Sequence, residues 1–230
     1  MKRVWFIWVV VLFYACTPVY VPPVVHAPLL QEKKDFQAEV HLGTGGTDLQ
    51  AAYALTDRVG IRTAVSYQPG FEESHNRHAY LEAATGMYRP LWGGFGLLEG
   101  YAGAGFGRGE GYSEWTMTGS PHTRNASANY FRPFVQGNLA FTSDYVDLGV
   151  SATTLLLSVS NFTVNEQVHP QTFNDVFIEP ALFLRFGYDI LKISLQTGVS
   201  LPLTEIEEYS WVPLQFSLGL SLRLSFLDED

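Results

Sequence analysis

Residues 214–226 read LQFSLGLSLRLSF, with Leu or Phe at every second position and Gln215, Ser217, Gly219, Ser221, Arg223 and Ser225 between them. A period of two is the signature of an extended strand, whose side chains alternate between opposite faces. Such a strand has one apolar and one polar face over its full length. It therefore lies on a boundary between an oily and a wet environment. Two closed architectures offer one: a soluble barrel with its leucines inward, or a membrane barrel with its leucines outward.

The same alternation runs from Asp35 onward, broken by turn signals at short intervals. It predicts ten strands, at 36–43, 47–55, 58–68, 77–88, 94–107, 128–141, 146–160, 176–187, 191–201 and 212–226. No segment sustains a 3.6-residue apolar period, so no helix is expected after the N-terminal segment. The connections at 55–58, 89–93, 142–145 and 188–190 are short, whereas 69–76, 108–127, 161–175 and 202–211 are longer and polar. Only the first connection, Thr44, Gly45 and Gly46, is short on the long-loop side. Outer-membrane barrels sort their connections in this way, with short periplasmic turns and long outer loops. The expected fold is an all-β, up-and-down antiparallel transmembrane β-barrel of about ten strands, with eight as the alternative. An even strand number places both barrel termini on the short-turn, periplasmic side.

The polar parity carries the charges. Glu39, Asp48, Arg62, Glu82, Glu99, Arg132, Asp147, Glu179, Arg185, Lys192 and Arg223 all fall on it, joined by His41, Gln50, His78, Gln136 and Asn138. The apolar sets of the last three strands contain no charge. A lipocalin-like barrel would turn the polar set to water, yet that set is rich in Ser, Gly, Ala, Gln and Tyr and poor in Lys and Glu, an unusual soluble surface. Charged residues are 16% of the chain, against roughly 25% in soluble domains. No internal run approaches the ~20 apolar residues of a membrane helix. Leu, Ile, Val and Phe are thus expected to meet lipid, with the eleven charges as a paired lumen. Tyr88, Trp92, Tyr145 and Tyr188 at the short-turn end, and Tyr67, Phe71, Tyr209 and Trp211 at the other, are candidates for two interfacial girdles. The net charge of −9 and the lack of a basic patch exclude nucleic acid as a partner.

Lys2 and Arg3 precede an apolar run from Val4 to Tyr14, the pattern of a secretory signal over residues 1–15. Cys16, the single cysteine, follows Ala15 and cannot form an intrachain disulfide. Phe13, Tyr14, Ala15 and Cys16 resemble a bacterial lipobox, with Phe in place of the usual Leu and Tyr in place of a small residue. The other reading is a cysteine that merely sits in a signal peptide. Pro18, Pro22, Pro23 and Pro28 favour an extended spacer. The expected organisation is a signal at 1–15, a lipid anchor and Pro-rich tether at 16–34 and a barrel at 35–230.

Together these features resemble the small outer-membrane β-barrel proteins of Gram-negative bacteria over about 35–230. The final strand reaches Phe226, the terminal aromatic usual in that group, although four residues follow it here. The lipobox and the stretch GTDLQAAYALTDRVGI at 46–61 are similar to uncharacterised barrel lipoproteins of the Bacteroidota. The resemblance implies outer-membrane lipid as a partner and carries no activity with it.

Some small barrels of this class are hydrolases, which would need a nucleophile, a base and an orienting group near one rim. The candidates are His75 and His78 beside Glu72 and Glu73, His122, and His169 near Glu166 and Asp175. The His75/His78 spacing suits a metal pair, but no third ligand accompanies it. Glu205, Glu207 and Glu208 read as a solvated loop. No Walker, dinucleotide or nucleophile-elbow motif is present. The expectation is a non-enzymatic protein without metal or cofactor, whose loops 108–127 and 161–175 contact something outside the cell. A small pore, an outer-membrane hydrolase and a soluble lipocalin-like periplasmic lipoprotein for an apolar ligand are the alternatives.

Overall fold

The computed structural model describes residues 18–70, 76–117, 120–188, 190–206 and 209–225, giving the backbone alone for 113–122. Ten long strands run in chain order: β1 (Asp35–Gly43), β2 (Gly46–Ala54), β3 (Val59–Gln68), β4 (Arg77–Leu91), β5 (Gly96–Met117), β6 (Ser120–Phe141), β7 (Val146–Val164), β8 (Phe173–Tyr188), β9 (Leu191–Val199) and β10 (Leu214–Ser225). Each pairs antiparallel with its chain neighbours, and β10 pairs with β1, from Ser217 opposite Gly43 to Ser225 opposite Asp35. The sheet thus closes as an up-and-down barrel of ten strands. Among the described residues there is no α-helix, only a single 3-10 turn at Trp92–Gly94.

Which way the leucines point is settled by the register. One row crosses all ten strands through paired residues: Val146, Phe186, Ile193, Leu220, Val40, Leu49, Val65, Leu81, Phe106 and Phe131. Every member is exposed on the outside. Leu220 is 48% exposed, whereas its neighbour Ser221 is 5% exposed. A one-residue slip would exchange the two faces on any strand, so this row fixes the sense of the whole wall. The apolar-lined interior of a lipocalin-like barrel is therefore not what this chain forms.

Four expectations are corrected. Residues 108–127 do not form a loop: β5 and β6 stay paired from Glu110 opposite Ser127 to Met117 opposite Ser120. Residues 161–175 are likewise largely paired, since β7 runs to Val164 and turns back into a short strand, Gln167–His169. Polar composition suggested loops, yet these segments are strand, and Ala126, Ala128 and Phe162 of the two hairpins are buried in the aromatic cluster at that end.

The third correction concerns the Pro-rich tether. Residues 18–34 do not hang outside the barrel; they thread its lumen. Val19, Tyr20, Leu29 and Leu30 are almost fully buried, and so are Ala27 and His26. Pro18–Tyr20 pairs in parallel with Ser210–Trp211, in the connection before β10 at the hairpin end. At the other end the Lys34 amide donates to the Ala54 carbonyl, and the chain turns at Asp35 into β1. Asp35 and Ser225 both lie at the short-turn end, but the segment preceding Asp35 runs back through the barrel. The signal region and Cys16 lie outside the described residues, as do Phe71 and Phe226.

The aromatics divide differently from expectation. Trp92, Tyr145 and Tyr188 are exposed at the short-turn end, joined by the stacked pair Phe95 and Phe141. Tyr67 is exposed towards the other end. Tyr88, at 2% exposure, instead points inward and donates to the Thr56 carbonyl. Tyr209 is buried and Trp211 packs against the aromatic cluster inside the hairpin end.

Candidate functional site

The lumen is where the chemistry-bearing side chains converge. Its walls come from alternate positions of the ten strands, so strand parity supplies the wall groups that face it. Ten of the eleven charges expected there are buried, and Arg223 is partly covered at the short-turn mouth. No ion that far from water is tolerated without partners, and the structure supplies them in connected groups.

Arg132 on β6 is the centre of the largest. Its guanidinium donates to Glu179 on β8 at 2.6 Å and to Glu82 on β4 at 3.3 Å. It also donates to the hydroxyl oxygens of Tyr20 and Tyr80. Those two hydroxyls donate in turn to Glu179 and Glu82, each at 2.8 Å. Tyr20 belongs to the threaded segment, so the segment is part of the network.

In a second group Arg185 on β8 bridges to Glu39 on β1 at 2.6 Å, and Glu39 also contacts His41 and accepts from Gln37. Asn138 donates to Glu99, and Gln136 donates to Asn138. Nearer the short turns, Lys192 pairs with Asp147 at 2.9 Å and Arg223 with Asp35 at 2.7 Å.

The threaded segment is held mainly by its backbone. The His26 carbonyl accepts from Arg62 and from Gln136, the Ala27 carbonyl from Arg185, and the Val24 carbonyl from Gln50. Its amides find acids: Val24 donates to Asp48, Leu30 to Glu99 and Gln31 to Asp35. A buried amide without a partner is costly. Pro22, Pro23 and Pro28 carry no N–H and need none. Glycines make the room: a Cβ on Gly109 would collide with the Val19 carbonyl, and one on Gly60 with the Leu30 side chain.

The hydrolase candidates whose side chains are described do not converge. His75, Glu72 and Glu73 lie outside the described residues, and the side chain of His122 is not among those described. His78 points into the lumen and contacts the Tyr130 hydroxyl at 2.5 Å. His169 is exposed against the Phe162 ring, while Asp175 is buried and accepts from Thr204 and Tyr209. Glu166 is exposed at the tip of its hairpin, and Glu205 is exposed in its loop. Among the described residues no three His, Cys, Asp or Glu side chains gather as metal ligands do.

Sequence reasoning missed Tyr20 and the carbonyls of 24–27 as lumen groups. A signal for them was present: a spacer in water has no use for Val19, Tyr20, Val21, Val24, Val25, Leu29 and Leu30. No protein family matches the chain, and no curated protein is similar to it.

Proposed function

We propose that the chain is a non-enzymatic outer-membrane β-barrel lipoprotein of a Gram-negative bacterium, its lumen closed by residues 18–34 and its protruding hairpins serving as a contact surface. The observation that carries this reading is the inversion of its faces. A continuous row of apolar side chains circles the outside, while ion pairs and hydrogen bonds fill the inside. Water offers no reason to place Leu220 outward and Arg185 inward; a hydrocarbon surround does, because a charge at the midplane of the lipid face costs roughly 2–4 kcal/mol. The shorter strands, at nine residues, match the roughly 9–11 residues of a tilted spanning strand. The exposed aromatics at the short-turn end suit a bilayer interface.

In this reading the short turns face the periplasm, Cys16 carries the lipid, and the hairpins at 108–127 and 161–175 meet a partner outside. The direct test is a nitroxide at position 220 or 221 in purified Cys16→Ser chain refolded into lipid vesicles. Position 220 is expected to respond to a lipid-soluble relaxer and position 221 to be shielded from it. A protein that stays dispersed without detergent, with position 220 reporting water, would overturn the membrane reading. Intact mass tests the anchor: a mature chain starting after residue 16 without added lipid mass would refute acylation.

A further inference from the structure

We infer that the barrel is the passage by which the chain's own N-terminal segment reaches the far side of the membrane, so that whatever precedes Pro18 is displayed at the hairpin rim. The side on which that rim lies rests on the membrane reading above; the passage itself does not. Its direction is fixed at both ends. The Lys33 amide donates to Asp57 in the short turn between β2 and β3, and Pro18 stands opposite Ser210 at the hairpin end. Between Tyr20 and Gln31 a chain in the polyproline II form covers roughly 34 Å, at ~3.1 Å per residue. That is close to the ~30 Å of a bilayer's hydrocarbon core.

The lumen is built to hold such a segment along its path rather than at one point. Arg62, Gln136, Arg185 and Gln50 donate to successive carbonyls, and Asp48 and Glu99 accept amides. All six are at least nine-tenths buried. Near the outer end the Tyr20 side chain locks into the Arg132 and Glu179 pair, and the Tyr20 carbonyl accepts from the Val212 amide. Two peptide units carry a chain no more than about 7.6 Å. A lipid on Cys16 would thus be anchored in the leaflet on the hairpin side, opposite to a periplasmic anchor.

The test uses single cysteines in the full chain, in cells, with Cys16 retained and a membrane-impermeant maleimide as probe; peptide mass spectrometry reads the labelled position. Glu166→Cys marks the hairpin end and Asp57→Cys the short-turn end. Pro18→Cys is expected to label in intact cells together with position 166, and position 57 only after the outer membrane is permeabilised. Position 18 following position 57 instead would overturn the passage. Positions 57 and 166 labelling alike in intact cells would sink the membrane reading, and the passage is then judged by crosslinking alone. In purified full-length protein, Pro18→Cys with Ser210→Cys should join on mild oxidation, and Pro18→Cys with Asp57→Cys should not. The reverse result overturns the inference whatever the surroundings of the barrel.

Discussion

Arg132 shows how a lumen position differs from a surface one. It lies between Glu82, Glu179, Tyr20 and Tyr80, with every partner buried. Arg132→Met should leave two acids facing one another without their shared cation, a loss of about 3–5 kcal/mol for breaking a buried pair. Reversible unfolding by urea from detergent or lipid is the measurement, and a loss below about 1 kcal/mol would mean that the network is not coupled as described. If the barrel spans a membrane as proposed, Leu220→Arg should hinder insertion by about 2–4 kcal/mol, the midplane value for a lipid-facing charge; vesicle-refolding yield against Leu220→Met reads it. At this scale the sequence was informative because strand parity sorts side chains without any knowledge of the fold. Parity also held information that went unused. Tyr88 shares the parity of Glu82, as Tyr130 shares that of Arg132 and Phe177 that of Glu179, and all of these aromatics lie inside. Assigning Tyr88 to an outer girdle followed its place near a strand end and ignored its parity.

Among the elements, the ten wall strands were legible and the threaded segment was not. Each strand announces itself through its own period, and the antiparallel order follows from short connections. The segment 18–34 has no such period, because it makes few ladder bonds and meets the wall on all sides. Its prolines favour the extended shape in water and in the lumen alike, so composition reveals the conformation but not the location. The hairpins at 108–127 and 161–175 were hidden for a different reason: their Gly, Ser, Thr and Asn content reads as loop, although Ala126 and Phe162 are buried in the aromatic cluster. Gly109→Val tests the fit between segment and wall. Its side chain would occupy the place of the Val19 carbonyl, on a strand that its pairing with His78 and Ala128 keeps in register. Limited proteolysis should then cut near Tyr20 at least tenfold faster than in the parent chain, with the barrel core still protected. Equal cutting rates would show that the approach of Val19 to β5 is loose.

For the molecule as a whole, the decisive property is that the lumen is closed twice. Eight strands enclose a space that side chains alone can fill, and sixteen leave a channel. Ten fall between, and here an extended segment occupies the middle while Arg62, Arg132 and Arg185 reach it or its ion pairs from the walls. Closure by long polar side chains was expected from the sequence; closure by the chain itself was not, since no local pattern encodes which segment enters a barrel. Conductance separates the two contributions. Full-length protein in planar bilayers should show no sustained porin-like current. Arg62→Ala with Gln136→Ala removes both donors to the His26 carbonyl and the 3.8 Å pair of Arg62 with Glu82, while the contacts of Arg132 with Glu82 and Glu179 and the strand register remain. That variant should show brief openings as the segment shifts, with a conductance well below that of a porin. If the parent protein itself conducts steadily, the segment does not seal the lumen. If the double variant is as silent as the parent, the wall side chains suffice, and residues 18–34 are cargo in a barrel already closed without them.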